Sequence, residues 1–245
     1  MATSSSISGT PVGSSGTLAT LINRCQVFLN DEGDATWDTE MIGTFLNDAI
    51  RDYSNHFPRI KTTTISTTTA TTNYDLPSDF LGILSAEFPD GEDPPVYQNR
   101  QSVTTAGFWS SDKNYDIILA ADDSNVNEYI FPALDATGET AVLVYHAVHQ
   151  LMADPSTPTE SNTVPEEHQP LLVKYVNWQA SQHLAFAEQQ SPTSNSSLLM
   201  AQLAQNARRN ELSYHTALQQ AIYAAEGQSF HRNWVEKGSG MERIY

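Results

Sequence analysis

Seven histidines, 29 acids and a single cysteine are the side chains of this 245-residue chain that could do chemistry. A metal site needs His, Cys, Asp or Glu ligands that converge. His146 and His149 lie three apart in an apolar, β-branched run, an offset that puts them on opposite faces of a strand. His168, His183 and His215 fall in helical stretches with no second ligand at i+4. His183 sits among apolar residues and reads as a hydrogen-bonded core or interface histidine. Asp31-Glu32-Gly33-Asp34 is a turn without the ligand spacing of a calcium loop. Cys25 lies in an apolar helical stripe, the setting of a buried structural thiol rather than a nucleophile. As the only cysteine it forms neither an internal disulfide nor a cysteine zinc site. Glu166-Glu167 could be a carboxylate pair for acid–base hydrolysis, but they open a helix, where the dipole itself favours acids. There is no nucleophile elbow, no phosphate-cradling glycine loop and no zinc-protease helix. The sequence therefore predicts no catalytic, cofactor-binding or metal-binding residue and no cofactor, and nothing among its 29 acids selects a carboxylate hydrolase.

Charge narrows the partners. Lys plus Arg is 12 against 29 acids, a net of −17, with most of the excess between Arg59 and Asn162. A chain this acidic does not hold nucleic acid by phosphate neutralisation. Its only adjacent cations, Arg208-Arg209, read as an exposed helix face. No apolar run approaches the ~20 residues that span a bilayer. Met1 to Gly16 is Ser-, Thr- and Gly-rich with no charged start and no apolar h-region. It reads as a tail and not as a secretory signal, which fits synthesis in the cytoplasm.

The elements that would position these residues fall into three groups. Leu18, Leu21, Ile22, Cys25, Phe28 and Leu29 recur at three and four, giving a helix over Thr17 to Asp31. Asp38 caps a second helix running to about Phe57. Trp37 is placed to staple across that cap onto Ile42, and Pro58 is the stop. From Ile60 the periodicity changes. A threonine-rich run to Thr72 has little to bury and reads as an edge strand or an arm. Short strands follow at Leu81–Phe88, Val96–Tyr97, Tyr115–Ala120, Glu128–Leu134 and Val142–Val148. They are joined by Asp, Asn and Gly turns, the pattern of an antiparallel sheet or small sandwich. The last of them, Val142 to Val148, reads as buried on both faces. After a polar linker, Val164-Pro165-Glu166-Glu167-His168-Gln169-Pro170 opens a third helix. It carries Leu172, Tyr175, Val176, Ala180, His183, Leu184 and Ala187 on one side, and Leu171 and Trp178 on another. That surface is broader than one partner covers. A fourth helix from Ser197 is predicted to stop at Gly227.

The last stretch, 227–245, carries large apolar groups that a solvated tail does not need, together with cations that stand out in an acidic chain. Phe230, Arg232, Trp234, Arg243 and Tyr245 are the candidate partner-binding residues of a docking arm.

Three stretches in this order resemble the head–tail adaptor (connector) proteins of tailed bacteriophages. They are Trp37-Asp38-Thr39-Glu40-Met41 before Phe45-Leu46-Asn47-Asp48-Ala49, the segment Tyr74-Asp75-Leu76-Pro77-Ser78-Asp79-Phe80, and Val144-Tyr145-His146-Ala147 followed by Val164-Pro165-Glu166-Glu167-His168. The resemblance covers about Leu18 to Ala225. It implies an α+β fold, a four-helix bundle of two N-terminal and two C-terminal helices with an inserted antiparallel β-domain. The segments would be a tail over 1–16, a helical hairpin over 17–58, the insertion over 59–162, a second helical pair over 163–226 and the docking arm over 227–245. It further implies a structural virion protein without enzymatic activity that forms a homo-oligomeric ring, commonly of twelve subunits, under the portal protein. That ring would extend the DNA channel and offer a surface to a tail or nozzle protein. A different class is a β-rich carbohydrate-binding or decoration module on a helical oligomerisation stalk. Such a module would expose Phe108, Trp109 and Tyr115 together as a platform; an adaptor would bury them or use them between subunits.

Overall fold

The computed structural model describes residues 16–31, 36–68, 71–121, 126–132, 138–190 and 196–239, with the backbone alone described at 120–121, 196–197 and 227–239. The chain is α+β and divides into two compact units. One is drawn from the chain up to His56 and again from Gln150, and the other is Phe57–His149. The turn residues 32–35, 122–125 and 133–137 and the tail 1–15 lie outside the described residues.

The first unit is helical: α1 (Leu18–Leu29), α2 (Thr39–His56), α3 (Gln169–Gln190) and α4 (Ser196–Ser239). Thr17 starts α1, its Oγ1 accepting from the Thr20 N–H. Asn30 ends it in the left-handed region at φ 56°. The Asp31 and Asn30 N–H groups then reach back to the carbonyls of Gln26 and Val27, a Schellman closure. The Asp31 carboxylate accepts from the N–H groups of Thr36 and Trp37, at 3.0 and 2.6 Å from Oδ2. The backbone leading into α2 thus engages the first carboxylate of the acidic stretch. Asp38 Oδ1 then caps α2 through the Met41 N–H at 2.7 Å. Trp37 is buried, and its ring meets Phe45 and His183. α3 is the common neighbour, packing against α1, α2 and α4.

Three features of this unit differ from the sequence reading. Phe28 belongs to the predicted stripe of α1 yet is 59% exposed, because it sits past the edge of the face that α3 covers. On α3, burial ends at Ala180, and His183, Leu184 and Ala187 are exposed. The apolar surface there is broad, but past Ala180 it is covered only in part, as where Trp37 and Phe45 pack on the His183 ring. Gly227 does not stop α4, which runs on to Ser239. A glycine inside a helix costs only ~0.5–1 kcal/mol, which flanking helix formers outweigh.

The polar stretch between the units' chain crossings is firmly held within the helical unit. Asn47 clamps it from α2: Asn47 Nδ2 donates to the Met152 carbonyl at 3.0 Å, and the Met152 N–H donates to Asn47 Oδ1 at 2.9 Å. Four residues earlier, Gly43 lets the backbone approach so closely that a Cβ there would lie 2.7 Å from the Pro155 carbonyl oxygen. The Leu18 N–H donates to the Glu160 carbonyl and the Asn162 N–H to the Gly16 carbonyl, tying the start of α1 to the same stretch. Glu166–His168 is a 3-10 turn that leads into α3.

The second unit holds seven strands: β1 (Arg59–Ser66), β2 (Asn73–Asp75), β3 (Phe80–Glu87), β4 (Asn99–Arg100), β5 (Asn114–Ala121), β6 (Val126–Ile130) and β7 (Thr140–Ala147). They form a three-stranded sheet in the order β1-β7-β3 and a four-stranded sheet in the order β2-β6-β5-β4. The threonine run is an edge strand, paired on one side only to β7. β7 is central, but it is not buried on both faces. Ala141, Leu143, Tyr145 and Ala147 are buried, and the alternate residues are half-covered. An apolar run can be read as two-faced when its outward positions are valines; here the strand periodicity decides. Val96–Tyr97 is not a strand. Tyr97 makes a single bridge to Glu87, and the pairing segment lies just beyond it, at Asn99–Arg100, parallel to β5. The sheets are thus mixed rather than wholly antiparallel. β3 carries register shifts that leave Leu81 and Leu84 out of the pairing, and both are exposed.

One cluster fills the unit from both sheets, with Phe80, Phe88, Tyr115, Tyr129, Phe131, Leu143 and Tyr145 at its centre. The rings of Phe88 and Phe131 are 5.0 Å apart and those of Tyr129 and Phe131 5.4 Å. The buried Tyr129 hydroxyl is satisfied by Gln98. Tyr145 and Lys61 both bond the Asp79 carboxylate, at 3.1 and 2.6 Å.

Candidate interaction surfaces

Residues that could do chemistry are engaged in holding the fold. The His168 ring nitrogen Nδ1 lies 2.6 Å from the Tyr53 hydroxyl, joining the turn before α3 to α2. His149 lies beyond the end of β7, its Nε2 3.0 Å from the Phe57 carbonyl. His183 is an exposed ring packed on Trp37 and Phe45, and His215 packs on Trp178 and Tyr214. Among the described residues, no three of His, Cys, Asp and Glu come together in a way that could hold a metal ion. Cys25 is 1% exposed, and burial pushes its thiol up to about 12. A thiol-specific reagent at pH 8 is therefore expected to leave the native chain unlabelled and to label it stoichiometrically in denaturant. Fast native labelling would show that α1 does not pack as described.

The α3–α4 pair is joined by an aromatic cluster. The Trp178 and Tyr214 rings stack at 6.0 Å, and Tyr175 meets both edge-on. The Tyr214 hydroxyl donates to Asp52 of α2. Burial and the Asp52 carboxylate push the Tyr214 phenol well above its usual range, so it remains a neutral donor. Asn210 of α4 donates to Ser181 of α3 at 2.7 Å.

What the fold leaves uncovered is apolar. On the helical unit Phe28, Phe186, Leu198, Leu212 and Tyr223 are each more than half exposed. On the β-unit the aromatic platform of a glycan module does not form. Phe108 is 0% and Tyr115 8% exposed, and only Trp109, at 49%, reaches the surface. Of the predicted docking residues, Phe230, Arg232 and Trp234 lie on the backbone of α4 within little more than one turn, while Arg243 and Tyr245 lie outside the described residues. The sequence does not single out Leu212 and Tyr223 of α4 as one line, because Leu212 stands between Glu211 and Ser213 and Tyr223 is lost in the apolar run Ala221-Ile222-Tyr223-Ala224-Ala225. Their spacing of 11, three helical turns, was the available signal.

A search of curated proteins gives no match. A family profile described as SU10 adaptor protein matches residues 16–229, from the cap of α1 into the last third of α4. The match spans most of the chain and both compact units, and so the chain belongs to the SU10 adaptor protein family, a family of phage head–tail adaptors.

Proposed function

We propose that this structural phage protein works as a homo-oligomeric ring, a dodecamer, seated under the portal protein at the head–tail junction of the virion after synthesis in the host cytoplasm. The family match over residues 16–229 carries this reading. The two helical pairs act as one bundle together with the stretch from Gln150 to α3, and the β-unit Phe57–His149 is its insertion. The segment 227–245 is the docking arm, with Phe230, Arg232, Trp234, Arg243 and Tyr245 engaging the portal or a neighbouring copy. A tail or nozzle protein attaches to the opposite side of the ring. DNA crosses the lumen without sequence-specific binding: a net charge of −17 repels a polyanion, so the genome slides rather than sticks. No membrane is involved in this reading, and among the described residues no helix is long and apolar enough to cross one. The buried positions of Phe108 and Tyr115 favour it over a carbohydrate-binding module.

Native mass spectrometry of the full chain, alone and with portal rings of the same phage, tests it. The expected result is multi-copy loading onto the portal ring, and the loaded ring should leave duplex DNA unshifted in a gel at physiological salt. A chain that ignores the portal would sink the adaptor reading, and a DNA shift would sink the repelling lumen.

A further inference from the structure

α4 has two lines of apolar residues on opposite sides, and the fold covers one of them. The covered line is Ala207, Tyr214 and Leu218, facing α3. The other runs through Leu198, Leu212 and Tyr223, which are 68%, 68% and 67% exposed. Steps of 14 and 11 residues are close to whole numbers of helical turns, and at about 100° per residue Leu212 stands roughly 160° from Tyr214. A helix with two opposite apolar lines is built for two partners, and the described fold supplies one.

The surroundings of Leu212 indicate the second. It lines an open cleft of about 430 Å³ whose walls include Lys174 of α3 and Arg209 of α4. Of the other described cations, Arg51 pairs with Asp48, Lys61 with Asp79 and Arg100 with Asp116, while Arg24, Arg59 and Lys113 make no ion pair but are scattered along the chain. Among the described residues, Lys174, Arg208 and Arg209 make no such pair. A cluster of unpaired cations around an exposed leucine is out of keeping with a surface that carries 29 acids against 12 bases. Two copies of so acidic a chain repel each other except where one of them presents positive charge. In a ring the contact joins two different patches, so the cationic patch of one copy can meet an acidic patch of the next. Glu40, Glu166 and Glu167 are exposed acids on the same helical unit.

We infer that the outward line of α4, centred on Leu212 and flanked by Lys174 and Arg209, is a docking surface for a second copy of this chain, which meets it with acidic side chains. The inference rests on the reading of the chain as a ring-forming adaptor. Its test uses the full chain loaded onto portal rings and counted by native mass spectrometry, with Leu212→Glu and Arg209→Glu beside the wild type. Each variant is expected to load at least about tenfold more weakly, the scale of losing one interface anchor. Leu212 is mostly solvated, so the thermal midpoint of its variant should be unchanged; if that variant misfolds, Arg209→Glu decides. A photo-crosslinking residue at position 212 should capture a second copy. Capture of the portal alone or of nothing, or variants that load like the wild type, would overturn this surface while leaving the adaptor reading intact. A wild-type chain that does not load would overturn both.

Discussion

Replacing Asn47 with alanine is expected to destabilise the helical unit by about 3 kcal/mol and to lower its thermal midpoint by on the order of 10 °C. Asn47 is 7% exposed, and both ends of its amide are used on one residue, accepting from the N–H and donating to the carbonyl of Met152. The alanine variant leaves both backbone groups of Met152, a residue 4% exposed, without their partners. The cost is that of two orphaned groups rather than of two net hydrogen bonds, which is why it is large. Asn47→Asp separates the two halves. Its ionised carboxylate keeps the acceptor for the N–H but faces the Met152 carbonyl with negative charge. Burial raises the pKa of the introduced acid, so its neutral form is favoured in the fold. That variant should be destabilised at neutral pH and recover stability as pH falls through the raised pKa, where a protonated acid can again donate. The exposed Arg51–Asp48 pair one turn away is the contrast: Arg51→Ala should cost less than about 1 kcal/mol. Urea unfolding followed by circular dichroism measures all three. An Asn47→Ala loss no greater than that of Arg51→Ala would show that the clamp does not hold the stretch after β7.

The second large effect is expected from removing residues 227–245. The truncated chain should fold with an unchanged midpoint, because among the α4 side chains described, up to Glu226, the last buried one is Leu218. Its loading onto portal rings should fall about a hundredfold, the scale of losing a pair of aromatic anchors together with their cations. Phe230 and Trp234 are i, i+4 on α4, so both fall on one face of the helix, and their joint loss removes one contiguous contact. Trp234→Ala alone should account for a tenfold share of this on the same scale. Mass spectra of portal rings mixed with full-length, truncated and Trp234→Ala chains are the measurement. A truncated chain that loads as well as the full chain would remove the docking role from this segment.

Because Asn47 belongs to the Phe45-Leu46-Asn47-Asp48-Ala49 stretch, it also shows how a pattern in the chain relates to its cause. The asparagine itself is visible next to Leu46 in an amphipathic helix. Its reason is a residue 105 positions away. The same holds for Tyr214, whose hydroxyl ends on Asp52, 162 positions away.

What the sequence determined by itself is what near neighbours along the chain decide. The Asp38 cap, the helix periodicities of α1 to α3, the edge character of the threonine run, the burial of Cys25 and the change from a period of 3.6 to 2 near Ile60 rest on contacts within a few residues. The tertiary structure alone decided which apolar lines are covered. Phe28 and Leu184 continue the stripes of their helices but fall outside the area that neighbouring elements reach. β7 buries one face because only one side of its sheet meets the aromatic core. Gly227 reads as a stop by local propensity, yet the helix passes through it. The second apolar line of α4 joins a leucine with polar neighbours to a tyrosine inside an apolar run, so its meaning appears only once Tyr214 is seen committed to α3 and α2 on the other side. Periodicity says that a face is apolar; what lies against it is fixed by elements far away in the chain.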